Sequence, residues 1–220
     1  MESKGRVIVV EGTIGVGKTT TMQKFEAFAA RTNRRKEFGF VWETVDQQLL
    51  DDFLSDQRKN AFDFQLHKLL ERIRNLSAAL YLAERGATVF VDRGLAGDRA
   101  FALCHHEAGN ISDAQMEEYD KLCKVVGRFV TDRPCSSKCE VTTLLLQAIP
   151  KSCISRIWTR DRPGEKAAYD ESYVSRIARH TSATVNAFPG NSLFLNTTDM
   201  NEDECFIKVA QMLGIKIDDV

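Results

Sequence analysis

The sequence predicts an α/β domain with a five-stranded parallel sheet flanked by helices. Two observations lead to this fold class: short apolar runs alternate with helical patterns, and the first run leads directly into a glycine-rich loop and a helix. Such alternation is typical of parallel strands joined by helices that cover both faces of a sheet. The predicted strands are residues 7–10, 38–42, 88–91, 141–147 and 193–195.

The segments between these runs have the periodicity of amphipathic helices. In the longest, apolar residues recur at steps of three and four, which predicts one buried face. The predicted helices are residues 20–31, 59–85, 95–105, 112–130, 151–160, 170–188 and 202–213. A chain of 220 residues has the size of one domain with a substantial core, so we expect a single domain over residues 1–220.

The glycine-rich loop after the first strand is the most informative motif. Residues 12–19 fit the pattern G-x-x-x-x-G-K-[ST] in full, between a buried strand and a helix, which is the context that this phosphate-binding motif requires. Lys18 is expected to reach the β- and γ-phosphates, and the Thr19 hydroxyl to bind Mg²⁺. The sequence therefore predicts binding of a nucleoside triphosphate. The predicted phosphate-binding residues of this loop are Gly12, Thr13, Ile14, Gly15, Val16, Gly17, Lys18, Thr19 and Thr20.

Charged residues stand where the second and third strands end. Ligands of such sheets collect beyond the carboxyl ends of the strands, so Glu43, Asp92 and Arg93 are expected to face the phosphate loop. Asp92 is assigned to Mg²⁺, Arg93 to the transferring phosphoryl group, and Glu43 to the proton of an acceptor hydroxyl. The alternative is that Asp92 and Arg93 only cap the next helix and pair with each other.

Two further groups of polar residues fit phosphate and base recognition. Arg156 and Arg160 share a helix face and Arg162 follows, so they predict a cationic lid over the nucleotide, although a basic helix end is the alternative. On the longest helix, Gln65 lies on one stripe with Lys68 and Arg72. A glutamine amide offers the paired donor and acceptor that a nucleobase edge requires.

Composition limits the classes of partner and the compartment. The 30 basic and 31 acidic residues leave no cationic excess for nucleic acid, and no apolar run approaches the roughly 20 residues of a membrane span. The first strand begins almost at the N-terminus, from which we expect no signal or transit peptide. The six irregularly spaced cysteines suit the reducing cytoplasm. A zinc site formed by Cys135 and Cys139 with residues 104–106 is the less favoured alternative.

The ordered set of motifs resembles one family, the deoxyribonucleoside kinases related to deoxycytidine and deoxyguanosine kinase, with the herpesvirus-type thymidine kinases as more distant relatives. The matching segments are residues 12–20, 42–43, 62–65, 72–74, 92–93, 98–99, 145–150 and 156–162. The resemblance implies the P-loop kinase fold with an arginine-bearing lid at about residues 156–170. It further implies ATP-dependent phosphorylation of a deoxynucleoside 5′-hydroxyl, and homodimerisation is common in the family.

Several site roles follow from the resemblance alone. Glu43 falls on the carboxylate near the 5′-hydroxyl, Gln65 on the glutamine that bonds the base, and Glu165 near the glutamate that binds the 3′-hydroxyl. Arg72 and Asp98 fall on the arginine and aspartate beside the base in the deoxycytidine-kinase branch. Because an aspartate accepts from an exocyclic amine, we expect deoxycytidine and purine deoxynucleosides to be preferred over thymidine.

The acceptor side departs from the family pattern. Thr44 replaces a proline after the base carboxylate, and Lys68 replaces a small residue close to the base. Three aromatic positions of the family are occupied by Gln48, Leu54 and Ala102. The sequence therefore combines intact phosphate machinery with a remodelled acceptor pocket.

Two other functions stay open at the level of sequence. A thymidylate-type nucleoside-monophosphate kinase shares the phosphate loop and the Asp-Arg pair, whereas Phe64-Gln65 and the lid arginines favour the nucleoside enzyme. A non-catalytic nucleotide-binding subunit would explain the altered pocket, but it would not explain the joint presence of Lys18, Glu43 and residues 92–93.

Overall fold

The computed structural model describes residues 5–131, 139–162, 164–188 and 190–217. Its sheet has five strands in the order β2-β3-β1-β4-β5, and every pairing is parallel. The predicted fold class is therefore confirmed. The strands are β1 Gly5–Glu11, β2 Phe38–Val41, β3 Thr88–Asp92, β4 Cys139–Gln147 and β5 Asn191–Asn196.

The helices agree with the sequence patterns to within one or two residues at each end, with two additions. The helices are α1 Lys18–Arg31, α2 Gln47–Ser55, α3 Gln57–Ala83, α4 Leu95–Glu107, α5 Asp113–Thr131, α6 Pro150–Arg160, α7 Glu165–Ala168, α8 Glu171–Ala187 and α9 Glu202–Met212. The sequence analysis missed α2 and the short α7. Asp46 begins α2 by accepting a hydrogen bond from the Leu49 N–H, and an aspartate before an amphipathic run is a recognisable start signal.

Helices on the two faces of the sheet enclose two hydrophobic clusters. On one face, Phe25 of α1 stacks on Phe90 of β3 at 4.6 Å between ring centroids and meets Phe206 of α9 edge-on at 4.7 Å. On the other face, Val89 and Val91 pack against the helices α3, α4 and α5. Adjacent residues of β3 therefore serve opposite clusters, as a strand buried on both faces requires.

Strand order decides which side chains can meet. The central strand β1 lies between β3 and β4, so its carboxyl end opens beside the ends of both neighbours. The loop after β1 and residues 92–93 after β3 are thereby brought together, with Glu43 following one strand further out. Among the helices described, none is both long enough and apolar enough to cross a membrane.

One sequence expectation falls partly beyond the described part of the chain. Cys135 lies outside the described residues, whereas Cys139 is the first residue of β4. Cys104 and His105 are buried on α4. Within the described ranges no group of three or more potential metal-binding His, Cys, Asp or Glu side chains occurs.

Candidate active site

The phosphate loop has the backbone that its glycines permit. Gly12, Gly15 and Gly17 all have positive φ angles, of 142°, 75° and 105°. A Cβ atom at Gly12 would lie 2.4 Å from the Leu146 carbonyl oxygen, and one at Gly15 would lie 2.5 Å from that of Cys153. Glycine is therefore required at both positions by backbone conformation and by close approach.

Lys18 is buried and turned back onto its own loop. Its ammonium donates to the carbonyl oxygens of Gly12, at 3.1 Å, and of Thr13, at 2.9 Å. Burial, assisted by the nearby Arg93 guanidinium, lowers the pKa of Lys18 to about 7. The negative charge of a bound phosphate would raise that pKa again, so Lys18 would carry its positive charge when the phosphate is in place.

A buried carboxylate that the sequence analysis did not select connects the loop to α4. Oε1 of Glu11, the last residue of β1, accepts hydrogen bonds from the backbone N–H groups of Gly94, at 2.9 Å, and Gly97, at 2.8 Å. A Cβ atom at Gly97 would lie only 2.0 Å from Glu11 Oε2, so a larger residue there would displace the Glu11 carboxylate. An acidic residue ending a buried strand was the signal available in the sequence.

Arg93 bridges the phosphate loop and the acceptor side. It has a left-handed backbone, with φ of 67°, and its N–H donates to the Val10 carbonyl at 3.0 Å. Its Nη1 donates to the Gly12 carbonyl at 2.9 Å, and its Nε lies 3.3 Å from Glu43 Oε2. The alternative in which residues 92–93 only cap α4 does not describe this geometry, since Glu11 bonds the first N–H groups of that helix.

Asp92 and Thr19 lie side by side at the phosphate loop. The Thr19 hydroxyl donates to Asp92 Oδ2 at 3.4 Å, and Asp92 Oδ1 is buried without a hydrogen-bond partner among the described residues. Mg²⁺ characteristically binds through one or two protein oxygens, with water and substrate phosphates completing its shell. A hydroxyl beside a carboxylate with an unpartnered oxygen fits that ion.

Glu43 is surrounded by cations. Its Oε1 is bonded by Arg72 and lies 3.4 Å from the Lys68 ammonium, while Arg93 faces Oε2. Burial alone would raise the pKa of Glu43, but the positive charges of Arg72, Arg93 and Lys68 outweigh burial and hold the pKa well below its usual range. Glu43 is therefore ionised at neutral pH, and its carboxylate is held from both sides.

The predicted base-reading residues lie together on buried surfaces of α3 and α4. Gln65 is buried, and its Oε1 has no partner in the described part of the chain. Asp98 accepts a hydrogen bond from Tyr119 at 2.6 Å, and its Oδ1 lies 3.8 Å from Arg72 Nε. Burial raises the pKa of Asp98 to about 6, although Arg72 and Tyr119 act in the opposite direction.

These side chains line a cavity of about 560 Å³ that reaches Lys18. The positions where the sequence lacks the family's aromatic residues lie away from it: Gln48 is exposed and bonded to Asp52, and Ala102 is buried in the core. Leu54 also packs in that core, while its neighbours in α2, Leu49 and Leu50, face the cavity. The aromatic lining comes instead from Phe64, Phe101 and Tyr169. Tyr169 was missed because the segment between α7 and α8 has no strong periodic signal.

The lid arginines have different partners. Arg160 makes a bidentate ion pair with Glu165, the residue expected to bind the 3′-hydroxyl. Arg156 instead donates to the Val16 carbonyl at 3.3 Å and to the Thr197 carbonyl at 2.7 Å, joining the phosphate loop to the segment after β5. Arg162 lines the same cavity as Glu165.

Comparison with known proteins agrees with this geometry. The deoxynucleoside kinase family model matches residues 8–211. A deoxyadenosine kinase of Dictyostelium discoideum is 29% identical over 163 residues, and a deoxyguanosine kinase of the same organism is 28% identical over 163 residues. Both matches cover 74% of this chain, but they span only 60% and 53% of the lengths of those relatives.

Solved structures show the same fold at low sequence identity. The deoxyadenosine kinase of M. mycoides, solved with dCMP and a flexible dCDP bound, has a TM-score of 0.72 and 17% identity. The alignment covers 94% of this chain and 98% of that chain. Because the family model extends over most of the sequence and the phosphate loop, Glu43 and Arg93 meet at one cavity, the chain belongs to the deoxynucleoside kinase family.

Proposed function

We propose that this protein transfers the γ-phosphoryl group of ATP to the 5′-hydroxyl of deoxyribonucleosides. The observation that supports this most directly is the position of Arg93. One guanidinium contacts both the Gly12 carbonyl of the phosphate loop and the Glu43 carboxylate at the acceptor cavity. A donor phosphate and an acceptor hydroxyl would therefore meet at one cationic side chain, which suits the charge that spreads over a transferring phosphoryl group.

The phosphate side of the proposal rests on the loop and the lid. Backbone N–H groups of residues 12–20 and the Lys18 ammonium would hold the triphosphate. Thr19 and Asp92 would bind Mg²⁺, which supplies charge neutralisation at the phosphates when bound. Arg156, Arg160 and Arg162 would form a lid at about residues 156–170, and residues 1–220 would act as one kinase domain.

We place the protein in the cytoplasm, in keeping with the buried free thiols of Cys104 and Cys153.

On the acceptor side, Glu43 would orient the 5′-hydroxyl and receive its proton. A carboxylate of low pKa is a weak base, so the proton moves late, as the new oxygen–phosphorus bond makes that hydroxyl acidic. The Glu43 charge is already present at neutral pH and needs no activation. Arg93 would hold the same oxygen from the phosphate side.

Gln65, Arg72 and Asp98 would recognise the base, and Glu165 the 3′-hydroxyl. The unpartnered Gln65 Oε1 supports this role, because a buried amide oxygen without a partner is costly until a ligand supplies one. The ionised Asp98 carboxylate suits an exocyclic amine. Similarity to deoxyadenosine and deoxyguanosine kinases also supports a preference for purine deoxynucleosides, with deoxycytidine next and thymidine last.

A panel of acceptors tests the function. Purified protein with ATP and Mg²⁺ is expected to phosphorylate deoxyadenosine, deoxyguanosine or deoxycytidine faster than thymidine, with nucleoside monophosphates as poor acceptors. Product formation is measured by chromatography. Transfer to thymidylate alone would identify a monophosphate kinase, and ATP binding without any transfer would identify a non-catalytic subunit.

Glu43→Gln tests the acceptor carboxylate. The amide keeps the size of the side chain but cannot take a proton, so we expect kcat to fall by about 100-fold in a protein that remains folded. Glu84→Gln removes an exposed carboxylate and serves as the matched control. A Glu43→Gln enzyme with wild-type turnover would return the proton-accepting role to Asp92 or to no side chain.

The pKa of Asp98 predicts how base recognition varies with pH. Since burial raises this pKa to about 6, Asp98 is protonated below that pH and becomes a weaker acceptor for an exocyclic amine. The KM for deoxyadenosine is expected to fall roughly 10-fold between pH 5 and pH 7, while the KM for ATP does not follow it. In Asp98→Asn this pH dependence of KM should vanish. A wild-type KM for deoxyadenosine that does not change with pH would rule out base recognition by the Asp98 carboxylate.

The resemblance implies a homodimer through the long helix, α3, and the helix after residues 92–94, α4; we propose that α5 takes the place of α4. Leu70 and Tyr81 of α3 are 60% and 57% exposed, and Leu122 and Val125 of the adjacent α5 are 40% and 66% exposed. Apolar surface of this kind is typical of protein interfaces. Sedimentation equilibrium is expected to give twice the chain mass, and Leu70→Glu combined with Val125→Glu to give a monomer. A wild-type protein that is monomeric at high micromolar concentration would contradict this proposal.

A further inference from the structure

Two departures from the family pattern beside Glu43 are joined in the structure by one carboxylate. Thr44 donates to Glu71 Oε1 through both its backbone N–H, at 2.7 Å, and its hydroxyl, at 2.9 Å. Lys68 donates to the other oxygen, Glu71 Oε2, at 2.9 Å. A proline at position 44 has no N–H and no hydroxyl and could make neither bond.

Lys68 closes the arrangement into a ring. Its ammonium also donates to the Thr44 carbonyl oxygen at 2.9 Å and lies 3.4 Å from Glu43 Oε1. The Lys68 and Glu71 side chains are only 11% and 4% exposed, so the bond between them is shielded from water, whereas the bonds to the exposed Thr44 are partly buried. Charged hydrogen bonds in such surroundings are stronger and more geometrically restrictive than those at a surface.

The number of donors on Lys68 indicates what the side chain does. A lysine ammonium has three hydrogens, and here three oxygens surround it, on Thr44, Glu71 and Glu43. Two of the hydrogens are donated to Thr44 and Glu71, and the third faces the Glu43 carboxylate, which lies 3.4 Å away in an ion pair. Direct recognition of substrate by Lys68 is therefore disfavoured, although Lys68 lines the acceptor cavity.

We propose that Lys68, held by Glu71 and Thr44, is a positioning residue for the Glu43 carboxylate. This inference rests on the proposed kinase function. Lys68 and Arg72 face Oε1 of Glu43 while Arg93 faces Oε2, so the plane of the carboxylate is held from both sides. The bonds from Glu71 to Thr44 fix the backbone directly after Glu43. Loss of the ammonium would remove one of the two cations at Oε1, so that Arg72 and Arg93 alone would orient the Glu43 carboxylate.

A mutant cycle tests whether Lys68 acts through Glu43. Lys68→Met is made in the wild-type and in the Glu43→Gln protein, and kcat and KM are measured with the best nucleoside acceptor. In the wild-type background we expect kcat to fall roughly 10-fold, as for other hydrogen bonds to charged groups, with a smaller change in KM. In the Glu43→Gln background the further loss should be less than about 2-fold, since coupled residues are not additive. Lys59→Met, an exposed lysine of the same helix, is the matched control.

Equal losses in the two backgrounds would overturn the proposal, as would a change confined to the KM of the nucleoside. A lower melting temperature with unchanged kcat would give Lys68 a structural role only. Thr44→Val, which removes the hydroxyl bond but keeps the N–H, is a milder variant should Lys68→Met fold poorly, and it should lower kcat in the same background-dependent way.

A second measurement does not depend on turnover. Carbon-13 NMR titration of the Glu43 carboxyl is expected to show a higher pKa in Lys68→Met than in the wild type, because one of the cations that lower this pKa is lost. An unchanged Glu43 pKa would refute the contact even in a protein that phosphorylates no nucleoside. Failure of the kinase function and failure of this inference are thereby distinguished.

Discussion

The site depends on the buried carboxylate of Glu11, which joins three separate segments. It ends the central strand, begins the phosphate loop, and bonds the first N–H groups of α4 through Gly94 and Gly97. Arg93 lies directly before the first of these attachments, in a left-handed conformation that few residues adopt without support. The bonds made by Glu11 supply that support, and Arg93 is consequently directed toward both the loop and Glu43.

The same surroundings affect two carboxylates in opposite ways. Both Glu43 and Asp98 are near Arg72, yet the pKa of Glu43 is held low and that of Asp98 is raised to about 6. Several cations face Glu43, whereas Asp98 is enclosed with a single guanidinium at 3.8 Å and a tyrosine hydroxyl. Environments that separate the pKa values of neighbouring acids allow one to work as a charge and the other as a hydrogen-bonding group.

The sequence was sufficient for the sheet, the phosphate loop and the residues at the strand ends, because each has a local pattern. Glycine spacing, apolar runs and charges after strands are properties of short segments. Thr44 and Glu71 are 27 positions apart, and Tyr119 and Asp98 are 21 positions apart. No pattern within a short segment predicts these contacts. Tyr169 reaches the cavity for the same reason, through the packing of helices rather than through any spacing.

The ring formed by Thr44, Glu71 and Lys68 limits the order in which this surface can change during evolution. A proline introduced at position 44 alone would leave Glu71 with fewer donors, and a small residue at position 68 alone would leave its buried carboxylate without the lysine cation. Either single substitution leaves the buried Glu71 carboxylate with fewer partners, which typically costs several kcal/mol. Substitutions at positions 44 and 68 are therefore expected to be tolerated more readily when Glu71 is replaced as well.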